Sequence, residues 1–134
     1  DYQNAQLLYE DIVNKARNND RALNNLALVT LELKSPMSIE YAEMAYNLNP
    51  DSINNKDTLG WVLLNNHNPA RALTLLKEAA EKAPNNPDIR YHYAVALNRT
   101  GDNSQAVKQL YLALNSKGDF ANRALAQKLL NDIK

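Results

Sequence analysis

A repeat in side-chain size constrains this chain more than any other feature. Displacing the segment that begins at Ile53 by 34 residues sets it on the segment that begins at Pro87. Leu59 then meets Tyr93, Gly60 meets Ala94, Leu63 meets Leu97, and Ala72 meets Ala106. Leu73 meets Val107, Leu76 meets Leu110, Ala79 meets Ala113, and the helix stop Pro84 meets Gly118. Large stays with large and small with small, which is the mark of one supersecondary unit used repeatedly. Displaced the other way, Pro84 falls on Pro50 and Ala79 on Ala45.

Helix-start signals keep the same rhythm in two interleaved series. Ser35, Asn68 and Asp102 form one set of candidate N-caps, and Ser52, Asn86 and Asp119 form the other. Pro36, Pro69 and Pro87 fit the first helical position, and Asp102 with Gln105 fits a capping box. Two series half a period apart mean two helices per repeat. The spacing predicts helices over 2–17, 20–33, 36–48, 53–65, 69–82, 87–99, 103–116 and 119–133. Strand patterns are absent and apolar residues recur at three- and four-residue spacing, so the chain reads as all-α. A single hairpin of this kind cannot bury its apolar face, whereas a stack of three or more can.

Composition narrows the functional classes. Among 134 residues, 15 Lys and Arg balance 15 Asp and Glu, against the basic excess expected of a nucleic-acid or anionic-membrane binder. No apolar run is long enough for a membrane span, so direct membrane insertion is not expected. No signal peptide is recognisable, and the chain opens at Asp1 already in a helical pattern, which suggests a segment of a longer protein. Cysteine is absent, which fits either redox compartment. Asparagine, with twenty copies, concentrates at turns.

The chain resembles the tetratricopeptide repeat (TPR) family. The segment 53–86 supplies Leu59, Gly60, Ala72, Leu76, Ala79 and Pro84, and the next supplies Tyr93, Ala94, Gly101, Ala106, Leu110 and Ala113. The looser segment 19–52 offers Leu26, Ala27, Ser38, Ala42, Ala45 and Pro50, with its first helix displaced by one residue. The resemblance implies a right-handed α-α superhelix of antiparallel helix pairs with a C-terminal capping helix. Residues 1–18 would be the second helix of a truncated repeat, followed by repeats at 19–52, 53–86 and 87–118 and a cap at 119–134. That cap would turn Phe120, Ala121, Ala124, Leu125, Leu129 and Ile133 inward and Arg123, Gln127, Lys128, Asn131 and Asp132 to water. The run Asp57-Thr58-Leu59-Gly60-Trp61 and the segment from Ile89 to Leu130 are also similar to TPR lipoproteins of bacterial exopolysaccharide systems, including the PEP-CTERM type. This implies a periplasmic or outer-membrane-associated setting.

Catalytic signatures are lacking. His67 and His92 are far apart, neither has a carboxylate at zinc-ligand spacing, and both read as surface or edge residues. There is no nucleophile elbow, phosphate loop or cysteine, so no enzyme activity, cofactor or metal is expected. The Asn98-Arg99-Thr100 sequon is near chance in so Asn-rich a chain.

Binding of a protein or peptide remains. In the TPR family the first helix of each pair lines the concave face. Carried onto this sequence, the ligand-facing places are Arg21, Asn24, Leu28, Leu31 and Glu32 in the first repeat. In the second they are Asn54, Asp57, Trp61, Leu64 and Asn65, and in the third Asp88, Tyr91, Val95, Asn98 and Arg99. Asp57 and Asp88 argue against a clamp for an anionic chain terminus. Trp61 reads slightly more as packing against the neighbouring repeat than as a groove anchor, and Tyr91 likewise. Two further readings stand beside the scaffold: a docking tail of a larger multi-domain enzyme such as an envelope protease, and a homodimer through the N-terminal edge.

Overall fold

The computed structural model describes all of residues 1–134. Its elements are α1 (Tyr2–Lys15), α2 (Asp20–Glu32), α3 (Met37–Leu48), α4 (Ile53–Asn65), α5 (Pro69–Lys82), α6 (Pro87–Arg99), α7 (Asn103–Leu114) and α8 (Arg123–Ile133). There is no strand, and no helix is long and apolar enough to cross a membrane. Helices α4, α5 and α6 have the predicted bounds. Ser52, Asn86 and Asp102 each accept a backbone N–H three residues on, satisfying a donor the helix itself leaves open. Asn68 holds the N-cap place of α5 without a side-chain bond, and Ser35 accepts from Met37 N just ahead of α3.

The closest pairings are α2 with α3, α4 with α5 and α6 with α7, three antiparallel hairpins stacked in chain order. Their turns share one backbone solution. Ser35 N donates to Thr30 O at 2.8 Å, Asn68 N to Leu63 O at 2.9 Å, and Asp102 N to Leu97 O at 2.9 Å. These bonds close a left-handed residue each time: Lys34 (φ 57°), His67 (φ 65°) and Gly101 (φ 93°). One helix therefore ends, and the next is capped, within four residues.

Side-chain size sets the distance within a hairpin. Gly60 and Leu76 meet where α4 crosses α5, so close that a Cβ on Gly60 would lie 2.6 Å from Leu76 Cγ and 2.9 Å from Cδ2. Leu23, Leu26, Leu59, Leu76 and Leu110 are fully buried, with Ala27, Ala72, Ala94 and Ala106 at the crossings.

The C-terminal segment departs from expectation. Helix α8 begins at Arg123 rather than 119, and Asp119 accepts from Phe120 N instead of capping a helix. Tertiary bonds replace the missing first turn: Arg123 donates to Leu114 O (3.0 Å), Ser116 O (3.2 Å) and Gly118 O (2.7 Å). The late start rotates the inward face. Ala126 and Leu130 are buried, whereas Ala121, Ala124 and Leu125, expected inward, are exposed.

Candidate functional site

The first helices of successive repeats touch one another, α2 with α4 and α4 with α6, whereas the second helices meet chiefly their hairpin partner and the following first helix. The first-helix side is therefore the inner, shorter arc of the stack.

Along this arc runs a ladder of polar bonds one repeat apart. Asn55 Nδ2 donates to Asp20 Oδ2 (2.9 Å), and His92 Nδ1 lies 2.7 Å from Asp57 Oδ1. Arg99 donates to Leu64 O (2.9 Å), and Asn122 Nδ2 donates to Asp88 Oδ1 (3.0 Å). Asp57 and Asp88, expected to face a ligand, are thus engaged with the next repeat. His92 is not a free edge residue. It stacks on Trp61 with ring centroids 4.2 Å apart, and Tyr91 lies tilted against Trp61 at 6.1 Å. Trp61 is half-buried, stacked on one side by His92, and borders a cleft. Burial raises the Tyr91 hydroxyl above its ordinary pKa, an effect that nearby Arg99 opposes.

Three of the expected groove residues belong to the core. Leu64 is 1% exposed, and Tyr91 and Val95 are each 7% exposed, so none can offer much surface to a partner. A helix face packed on both flanks by neighbouring first helices is narrower than the family positions imply. Leu28 is 37% exposed, while Asn54, Asn65 and Arg99 are exposed and Asn24, Leu31, Asp88 and Asn98 half-buried. Asn65 and Asn98 donate to Trp61 O and Asn103 Oδ1.

Seven of the expected groove residues line two cavities at opposite ends of α2 and α4. One, about 350 Å³, is polar throughout and joins Arg21, Asn24 and Asn54 with Asn25, Asn49 and Ser52. The other, about 550 Å³, joins Leu31, Glu32, Trp61 and Asn65 with Lys34 and Ser38. Asn24 Oδ1, behind the first, and Ser38 Oγ, behind the second, are buried and have no hydrogen-bond partner. Leu28, Asp57, Asp88, Asn98 and Arg99 lie outside both. No group of three or more His, Asp or Glu is placed to hold a metal ion.

A family profile described as "Tetratricopeptide repeat" matches residues 63–133. The chain belongs to the tetratricopeptide repeat family. No curated protein matches it. Among solved structures, this TPR chain is similar to MamA at 21% identity and a TM-score of 0.75, covering 98% of this chain and 81% of that one. It is similar to YrrB, described as a TPR protein with an unusual peptide-binding site, at 22% identity and a TM-score of 0.75, over 95% of this chain and 66% of that one. MamA from Desulfovibrio magneticus RS-1 matches at 14% identity with a TM-score of 0.80, over 98% of this chain and 73% of that one. These likenesses establish a shared TPR solenoid.

Proposed function

We propose that this TPR solenoid is a non-enzymatic scaffold that binds an extended peptide segment of a partner along its inner arc. The carrying observation is the half-buried Trp61, which borders a cleft with Leu31, Glu32 and Asn65, while a second, polar cleft lies at the opposite end of α2 and α4. The half-buried Trp61 takes an apolar side chain, and the exposed Asn54 and Asn65 side chains take polar groups of the peptide. Burying the free face of a tryptophan gives the kind of central anchor that dominates peptide affinity. The peptide-binding description of YrrB is in keeping with this use of the fold.

A peptide selected from a random display library on the chain provides the test. Trp61→Ala and Asn24→Ala should each weaken its binding, Trp61→Ala by about tenfold or more, the range of a hot-spot truncation. Retained affinity in both variants, with unchanged circular dichroism, excludes the inner arc as the site.

We further propose that the parent protein serves a bacterial envelope assembly for secretion or exopolysaccharide export. The support is the likeness of the Leu59-Gly60-Trp61 run to TPR lipoproteins of that class. Fractionation of cells expressing the tagged parent tests it, and recovery in the cytosol alone rejects it.

A further inference from the structure

The outer side of the stack carries one helix face that the fold itself does not explain. The chain has only two methionines, Met37 and Met44, and both stand on α3, 38% and 39% exposed. With Tyr41 and Leu48 they follow one another at steps of four, three and four residues, so the four share one face over about 16 Å of helix. Leu48 is 47% exposed and Tyr41 half-buried. The same places one repeat on hold Arg71, Leu75, Glu78 and Lys82, and two repeats on they hold Gln105, Gln109, Leu112 and Ser116. Three of the four are polar in each case, so the packing of this solenoid does not call for an apolar stripe there. The stripe is not an end of the stack either. Helix α1 flanks it with Glu10, and α5 lies on the other side, where Arg71 pairs with Glu43.

The surroundings of the stripe are acidic. Helices α1 and α3 carry Glu10, Asp11, Glu40 and Glu43 against Lys15 alone, an excess of three negative charges in a chain that is neutral overall. Lys15 is taken by Asp11, and Glu43 by Arg71. Glu10 accepts from Gln6 on its own helix, and neither Glu10 nor Glu40 is part of an ion pair. Burial, and after it the charges of Glu10 and Glu40, hold the Tyr41 hydroxyl above its ordinary pKa. Both carboxylates therefore act on the middle of the stripe.

We propose that this face of α3 docks an amphipathic helix of a partner protein whose apolar seam is edged by Lys and Arg. Steps of four and three are the spacing of a helix–helix seam, whereas an extended strand repeats every two residues. Methionine suits such a seam, because its unbranched thioether moulds to the side chains it faces. Charge chooses among the occupants. A second copy would lay α3 along α3, which holds Glu40 and Glu43 and no cation. An acidic partner or an anionic lipid surface meets the same repulsion. A helix with basic edges answers Glu10 and Glu40, and its hold weakens as salt is added. None of the four stripe residues lines the cleft beside Trp61, so this site is separate from the inner arc.

Isotope labelling of the methionine methyl groups gives two NMR signals, both from this face. The probes are two synthetic helices of one heptad pattern, the first of leucine and lysine and the second of leucine and glutamate. The lysine helix is expected to shift both methionine signals saturably, with affinity falling as salt is raised, and the glutamate helix to leave them in place. Leu48→Lys keeps both signals and removes one apolar contact while adding a like charge. Lys82 holds the same place in α5, so the change should leave the circular dichroism unaltered and weaken the lysine helix by about tenfold or more. Glu10→Gln with Glu40→Gln should flatten the dependence on salt. Methionine signals that stay still, or a shift confined to the Trp61 indole, overturn the proposal. So does equal binding of the two helices, or retained affinity in Leu48→Lys. Signals that move when the chain alone is concentrated would assign the face to a second copy and overturn it as well.

Discussion

Replacing Gly60 with alanine sets two effects of known size against each other. In a helix interior, alanine is favoured over glycine by about 1 kcal/mol, so propensity alone predicts stabilisation. The packing predicts the reverse. The new Cβ would fall 2.6 Å from Leu76 Cγ, the branch point of a fully buried side chain rather than its flexible tip. Leu76 must shift bodily or α4 must move away from α5, and overpacking of this kind costs about 1–3 kcal/mol. The balance is destabilisation by about 1 kcal/mol, or roughly 4 °C in Tm for a chain of this size. Leu76→Ala alone should cost about 2–5 kcal/mol through the cavity it leaves. In the Leu76→Ala background Gly60→Ala should become stabilising, since its clash is gone and its propensity gain remains. Urea unfolding of the four proteins measures the coupling directly. A stabilising Gly60→Ala in the parent background, or additive effects, would refute close approach as the reason for glycine here.

Further outcomes follow from other contacts. Asn55 is buried and bonds Asp20 Oδ2 (2.9 Å), Ala45 O (3.1 Å) and Asn49 O (3.3 Å), so Asn55→Ala should cost about 1–3 kcal/mol in urea unfolding. Burial, first among the causes, raises the pKa of Tyr91 above the ordinary tyrosine value of 10.0, so the folded state keeps a proton that the unfolded chain releases. Stability should hold below pH 10 and fall as pH rises through 10 toward the folded-state pKa, and Tyr91→Phe should flatten that fall in Tm. Lys34 and His67 hold left-handed backbone at turns where the third repeat has Gly101, so Lys34→Gly and His67→Gly should each raise Tm, by the equivalent of about 1 kcal/mol. The Arg71–Glu43 pair joins α3 to α5 at a largely exposed place, so Arg71→Ala should cost less than about 1 kcal/mol, with most of that lost in high salt.

The sequence exposes the hairpins because each hairpin is a local unit. Caps, prolines and the step from small to large side chains all lie within one period, and they place α4, α5 and α6 at their observed bounds. Where tertiary bonds override local signals, the reading slips. Arg123 spends its guanidinium on three carbonyls of the preceding turn, which delays α8 and rotates its face. Leu64, at a family groove position, is buried here because a family position describes a helix face more broadly than the packing of adjacent first helices allows. Its apolar character, beside Leu63, is the sequence signal for that burial. His92 gives no local sign of its role, since its partners Asp57 and Trp61 lie on the previous first helix. A comparison of residues one period apart could have suggested the pairing of Asp57 with His92.

The links from Asp20 to Asn55, Asp57 to His92, Leu64 to Arg99 and Asp88 to Asn122 all lie on one side of the stack. They act as a stitched seam of nearly fixed length. Bending can then proceed mainly by fanning the opposite helices open or shut, as the leaves of a book turn about its spine, so the hairpins can change pitch while the spacing of residues presented along the seam stays constant.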